Sequence, residues 1–457
     1  MKFVVYREKI YIYKSFMSMI KEIIKNFLPQ FTHKYLIFMK SKFYDPLIKR
    51  KVASRSRRVH EKLLAKSRGK EKIRVVFLEI FDSSWKMDSV FKTMLNDPYF
   101  EPIILVCPYT VYGEQRMLVE MKRCLAFFNK QKYPVIESWN AENNKWVNLK
   151  ELNPDLLFLN NPHKLTRNEY YEDAYLNYLS CYVPYHYEVG QYNNNQSQYN
   201  QFFHNAIWKI FAPHKTSIKV YKSTCATKGK NVVLTGYPHA ERLLTKNHLQ
   251  NIASVWKGDK SKIRVIWAPH HTIDSPELPY SNFLKYAEFF KQIAKKFENE
   301  VQWCFKPHPI LKSKLQNHAD WGREKTEEYY EFWKNQSYSQ LNEGDYVDLF
   351  CESTAMIHDS GSFLAEYLHV NKPVLYLVNT DNYMDFYNDF GKKALDCCDL
   401  GKSENDILIF IENLKHITNL TEKNIESENL AFFQSECPDN PTDEIINVLK
   451  KELKYAN

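Results

Sequence analysis

Glycine is scarce in this chain, with 11 in 457 residues beside 19 prolines and 9 cysteines. The shortage goes with a richness in Lys, Asn, Tyr and Ile, and no function follows from it. The cysteines are odd in number and scattered, with no C-x-x-C, so neither a disulfide framework nor a zinc site is expected and a reducing cytosol is the natural compartment. No window approaches the ~18 consecutive apolar residues of a spanning helix. The opening "MKFVVYREKIYIYK" has charges in its apolar run and no small-residue cleavage site, so it does not read as a signal peptide. Internal repeats are missing, and the one biased stretch, "YNNNQSQYNQ", reads as a polar loop.

Acidic residues are lacking near the start. Residues 1–70 hold 19 of the 63 Lys and Arg but only 4 of the 54 Asp and Glu, leaving 44 basic against 50 acidic residues for the rest. The basic character is therefore an N-terminal feature. It argues against a nucleic-acid-binding body and points to an arm drawn to an anionic surface. Within the arm, "FMSMIKEIIKNFL" (16–28) spaces Phe16, Ile20, Ile23, Ile24, Phe27 and Leu28 as one helical face, which Pro29 closes. A basic cluster follows, and the pair fits peripheral attachment to anionic lipid. The competing reading is a helix docked on its own domain with a solvated basic face.

What the chain has in plenty is apolar and aromatic material, 44 % and 15 %. That excludes disorder, and the length suits two or three domains. From Ile73, buried-strand runs alternate with helical stretches: "IRVVFLEIF", "EPIILVCP", "DLLFLNNP", "LSCYVPY", "AIWKIFAPH" and "NVVLTGYP". A second series holds "IRVIWAPHH", "VQWCFKPHP", "DLFCESTAMIHDS" and "PVLYLV". This pattern predicts an α/β fold of two facing Rossmann-like domains. The expected division is a basic helical extension over 1–70, an acceptor domain over 71–240, and a nucleotide-donor domain over 241–457 that includes a capped terminal helix.

Ligands of open α/β sheets sit at the carboxyl ends of strands. His186, His239, His270, His271 and His308 all follow predicted strands, although any one of them alone is more simply a structural histidine. The turn "DSGS" (359–362) ends a strand and opens a helix, where free N–H groups and the helix dipole favour phosphate. Gly361 would allow close backbone approach, and Glu366 lies one turn on. The plain alternative is an N-capped helix. The acidic stretch 379–391 reads as a solvated rim loop rather than a metal site, and the aromatic run 321–333 as packing.

In their order, "LTGYPHAERLL", "RVIWAPHHT", "CFKPHP" and "DSGSFLAEYLHVNKPVLYLV" resemble the CDP-glycerol glycerophosphotransferase family. These are enzymes of teichoic-acid and capsule-type polymer synthesis with the two-domain GT-B architecture, and the likeness covers about residues 155–385. The resemblance implies a CDP-linked donor, a glycerol-phosphate or related polyol-phosphate transferred, a lipid-linked or polymeric glycan acceptor, and no cofactor or metal. It implies phosphate contacts from Lys306, His308, Asp359, Ser360, Gly361 and Ser362, and a ribose contact from Glu366. His186, in "VPYHYEVG" where the family has His-Gly-x-Pro, is the candidate base. His239 stands where the family often has Arg, and "APHHT" where it often has "APTWR", so His239, His270 and His271 are cleft candidates. The expected location is cytoplasmic, peripheral on the inner face of the membrane. The alternatives are a nucleotide-sugar transferase, a UDP-N-acetylglucosamine 2-epimerase-like enzyme, and, more distantly, a non-catalytic polyanion-binding scaffold.

Overall fold

In the computed structural model, the described residues are 44–454 apart from 112, 193–194, 245–254, 260, 417–428 and 430. The amphipathic segment 16–28 lies outside them. Seven parallel strands form the first sheet: β1 (Ile73–Glu79), β2 (Phe100–Val106), β3 (Val135–Glu137), β6 (Leu156–Leu159), β7 (Leu179–Tyr182), β8 (Lys209–Ala212) and β9 (Val232–Leu234). Their order is β3-β2-β1-β6-β7-β8-β9, with β4 (Trp139–Asn140) and β5 (Lys145–Trp146) as a separate antiparallel pair. The second sheet is β12-β11-β10-β13-β14-β15, also parallel, from β10 (Ile263–Ala268), β11 (Val301–Phe305), β12 (Ser339–Leu341), β13 (Ala355–His358), β14 (Val374–Leu377) and β15 (Asp399–Gly401). The architecture is the predicted α/β one, two doubly wound sheets of 7 and 6 strands.

The central strands are buried on both faces because helices cover both sides of a parallel sheet, which is why they read as unbroken apolar runs. β6, β7, β11, β13 and β14 are buried at every residue. Three short strands, β3, β12 and β15, were not legible: each breaks its three residues with a polar one (Glu137, Ser339 and Gln340, Asp399), whereas the equally short β9 is wholly apolar. The aromatic run packs as expected, with Trp321, Tyr329, Tyr330 and Trp333 in the second sheet's core beside Phe283 and Phe305.

Two placements differ from expectation. The terminal helix Pro441–Lys454, assigned by sequence to the second half, packs on the first sheet. Its Ile445, Ile446, Leu449 and Leu453 join Ile73, Val75 and Phe91 in one core. An amphipathic face buries wherever a complementary apolar surface is left, and chain order does not decide where that is. The basic stretch is also more than an arm. The helix Asp45–Ser67 extends into the globular body, where Leu63 and Leu64 pack on the first core. Among the described residues, no helix is long and apolar enough to cross a membrane.

Candidate functional site at the second switch point

In the second sheet, β10 is flanked by β11 on one side and β13 on the other, and strand order reverses there. Loops leaving the carboxyl ends of such neighbours diverge to opposite faces, opening the crevice in which α/β folds bind ligands. The three loops here are "APHH" after β10, "KPHP" after β11 and "DSGS" after β13. Backbone bonds continue the sheet register into them: Lys306 N–H donates to Trp267 O at 2.8 Å and His308 N–H to Pro269 O at 3.1 Å. Registry alone thus sets His308 beside His270 and His271.

Asp359 is the brace of the arrangement. It is fully buried and accepts the His270 N–H at 2.6 Å and, through its other oxygen, the Asn282 N–H. Burial raises its pKa to about 7, against the opposing pull of those amide bonds. The resemblance put Asp359 among the phosphate contacts. With both oxygens held by backbone amides, it instead positions the histidine loop, and a carboxylate has no attraction for phosphate.

The histidines converge. Ring centroids lie 4.3 Å apart for His270–His271, 4.2 Å for His271–His308 and 5.1 Å for His270–His308. His270 Nδ1 pairs with Thr272 Oγ1 at 2.9 Å, and His308 Nδ1 accepts the Ile310 N–H at 3.2 Å. The neutral His308 ring therefore carries its proton on Nε2 and offers a donor to the crevice. Burial lowers all three pKa values, His271 to about 3 and His270 and His308 well below the usual range; the neighbouring rings and Lys314 add to the effect. All three are uncharged at neutral pH.

His186 lies in the loop after β7, where a proton on its ring would further lower the His270 pKa. Its Nδ1 accepts the Glu188 N–H at 2.8 Å, and burial takes its pKa to about 3. In this geometry His186 presents Nε2–H, a hydrogen-bond donor. The base role implied by the resemblance needs a free lone pair, which this tautomer does not offer.

At the turn, the Ser360 N–H is spent on His358 Nδ1 at 3.1 Å. Gly361 is glycine for a reason internal to the fold, since a Cβ there would stand 2.9 Å from Tyr280 Cε2. The close approach is that of the Tyr280 ring. Ser362, half-buried, opens the six-residue helix Gly361–Glu366.

Lys306 and Glu366 lie in a second cluster, between the sheets. Glu366 is fully buried and accepts from Tyr237 Oη at 2.8 Å and from Tyr346 Oη. Tyr346 Oη also takes a hydrogen bond from Lys86 Nζ, which comes from the loop after β1. Lys306 Nζ donates to Gly344 O at 2.8 Å, and burial lowers its pKa to about 8. His239 is buried here with both ring nitrogens unpartnered, its Nε2 4.0 Å from Glu366 Oε2. A ribose contact by Glu366 therefore requires exchange of its two tyrosine hydroxyls. Sequence reasoning missed Lys86, Tyr346, Tyr237 and Thr272. Lys86, Tyr237 and Thr272 carried a signal, their places just after predicted strands, and Tyr346 carried none.

The rim stretch 379–391 is only partly solvated. Asp381, Asp385 and Asp389 are exposed, but Tyr387, Asn388 and Phe390 are buried, and Asn388 Nδ2 donates to Glu188 O at 2.6 Å.

Two doubly wound parallel sheets, with polar loops gathered at a switch point, define the class: a fold of the GT-B type. The structure is similar in fold to a variant of the wall teichoic acid polymerase TagF, with TM-score 0.55, 13 % identity, and 90 % of this chain and 98 % of that chain covered. It is likewise similar to the S. aureus MnaA–UDP co-structure, with TM-score 0.52, 14 % identity, and coverage of 84 % and 99 %. Residues 185–436, more than half of the chain, match the family CDP-Glycerol:Poly(glycerophosphate) glycerophosphotransferase, and the chain belongs to that family. The teichoic acid ribitol-phosphate polymerase TarL of Staphylococcus aureus (strain NCTC 8325 / PS 47) is 26 % identical over 203 residues, which is 41 % of this chain but 32 % of that relative. The match thus spans about a third of the length of that curated relative.

Proposed function

We propose that this protein transfers a glycerol-phosphate or related polyol-phosphate unit from a CDP-linked donor to a polymeric or lipid-linked surface-glycan acceptor. The observation that carries the reading is that the family match covers every crevice residue from His186 to Glu366, in a chain whose fold is that of TagF. One TagF structure was obtained after a soak with CDPG, which gives the donor class to try first.

In the reaction proposed, an acceptor hydroxyl attacks the phosphorus that carries the polyol. A new P–O bond forms, the bridging P–O bond of the diphosphate breaks, CMP leaves with the electron pair, and the proton of the attacking hydroxyl passes to the departing CMP phosphate or to solvent. Nε2–H of His308 donates to a phosphoryl oxygen as charge builds there, aided by the half-buried Ser362 hydroxyl. Such fixed donors in a water-poor site stabilise a developing oxyanion without reorganising. Nε2–H of His186, facing from the first sheet, orients the acceptor. The basic N-terminal segment would hold the enzyme at the inner face of an anionic membrane, near a lipid-linked acceptor.

The test is thermal stabilisation by CMP, CDP, CDP-glycerol, UDP and UDP-N-acetylglucosamine, followed by transfer assays on His308→Ala. A nucleotide at a hundredfold excess over its Kd stabilises by about 2.7 kcal/mol. Cytidine selectivity, with kcat lowered on the order of 10²–10³-fold in His308→Ala, supports the reading. A uridine preference would transfer the site to a sugar transferase or epimerase. No response to any nucleotide would remove the enzyme reading.

A further inference from the structure

Sequence spacing offers no metal motif, yet the fold gathers three imidazoles from two loops. His270, His271 and His308 each place one ring nitrogen so that all three lie within 4.8 Å of one another. We infer that His270, His271 and His308 form a site for one divalent transition-metal cation of zinc-like softness, with coordination positions left over for oxygen ligands.

The chemistry of the donor set supports this. Three neutral imidazoles with an open position are a ligand set for zinc, cobalt, nickel or copper, and a poor one for magnesium or calcium. His270 has an outer partner already, because its Nδ1 can donate to Thr272 Oγ1 at 2.9 Å, leaving the Nε2 lone pair outward. Partners of that kind orient metal-binding histidines and fix their tautomer. His271 Nδ1 is buried with no hydrogen-bond partner, and a coordination bond on this ring is one way to offset the cost of that burial. His308 must adjust. Ligation through Nε2 moves its proton to Nδ1, so the Ile310 amide now donating there at 3.2 Å has to turn away. The three nitrogens must also close toward the roughly 3.3 Å edge of a tetrahedral zinc site. Metal binding is therefore expected to perturb Ile310.

The charges nearby limit the affinity. Lys314, on the helix Leu311–Gln316, acts on both His271 and His308, and Lys306 acts on His308. Asp359 cannot offset them as a ligand, since both its oxygens hold amides. Lys314 thus separates two chemistries: its removal tightens a cation and loosens an anion. In the metal-bound form His308 Nε2 no longer donates, so in the transfer reaction proposed above the metal's leftover positions would take the phosphoryl oxygen in place of that hydrogen bond. The binding itself does not rest on that reading.

The experiment uses the full chain, freed of metal over a chelating resin and titrated with Co²⁺ and with Zn²⁺ alone, without nucleotide. One Zn²⁺ per chain is expected by calorimetry, with tetrahedral ligand-field bands for Co²⁺. His271→Ala and His308→Ala should each weaken binding at least about tenfold, and Thr272→Val about 10–100-fold, the range for outer partners. Lys314→Gln should tighten it. His318→Ala should leave it unchanged, because His318 lies outside the cluster and is paired with Asp274 at 2.6 Å. Thermal unfolding in chelator shows whether each variant is folded, and His271→Gln replaces His271→Ala if that one is not. No binding at micromolar Zn²⁺ would overturn the inference, as would binding lost only with His318→Ala, or weakened by Lys314→Gln.

Discussion

Glu188 shows how a single buried side chain sets the response to pH. It is fully buried and accepts from Tyr221 Oη at 2.7 Å and Ser217 Oγ at 2.8 Å. Burial outweighs those two bonds and raises its pKa from 4.5 to about 7. The folded state thus keeps a proton that the unfolded chain gives up above pH 4.5. Stability from this group is present below that pH and is lost as pH rises to about 7. The loss is on the order of 3 kcal/mol. Buried His214, lowered to about 3, runs the other way and gains stability as pH rises through its unfolded value. The difference between wild type and Glu188→Gln isolates Glu188. It should be near zero at pH 4.5, grow in the variant's favour up to pH 7, and stay flat beyond, as read from denaturation midpoints. At Gly361 the argument is steric. Gly361→Ala puts a methyl 2.9 Å from the Tyr280 ring, and such overpacking costs about 1–3 kcal/mol. A variant as stable as wild type would show that the ring yields.

Among elements, the loop after β1 and the helices around Tyr346 join the two sheets through one hydroxyl. Tyr346 Oη lies between Lys86 Nζ and Glu366, both buried. Tyr346→Phe keeps the ring packed against Phe350 and Phe363 but leaves two buried ionisable groups without their shared partner. A cost of about 1–3 kcal/mol is expected, measurable as a shifted denaturant midpoint at unchanged slope. The effect should shrink in Glu366→Gln, since coupled partners are not additive. The central strands were legible because burial on both faces writes them as unbroken apolar runs. The edge strands β3, β12 and β15 were not, because polar residues break their three-residue runs, while the edge strand β9 keeps an apolar Val-Val-Leu and was found.

For the whole molecule, the N-terminal charge asymmetry gives a sharp prediction. Residues 56–67 belong to the globular body, with Leu63 and Leu64 on its core, so removing 1–70 would damage the fold itself. Removing only 1–43, which spares that core, should shift the protein from the membrane fraction to the supernatant. A truncated protein that still sediments with anionic vesicles would end the attachment reading.

By itself the sequence determined the class of fold and the position of the crevice, because both depend on local information. Strand runs alternate with helices, and polar motifs follow strands at fixed offsets. The order of those motifs was enough to reveal the family. Tertiary structure alone decided what each polar residue does, because that depends on partners distant in sequence. Asp359 became a brace once the amides of His270 and Asn282 reached it. His186 became a donor once the Glu188 amide took its Nδ1. Glu366 was drawn between two tyrosines, Tyr237 and Tyr346, that both precede it in the chain, one of them by 129 residues. The terminal helix went to the first sheet, where an apolar surface was left to cover. The histidine cluster is a product of sheet registry: β10 and β11 pair in parallel, so the residues that follow them come out side by side.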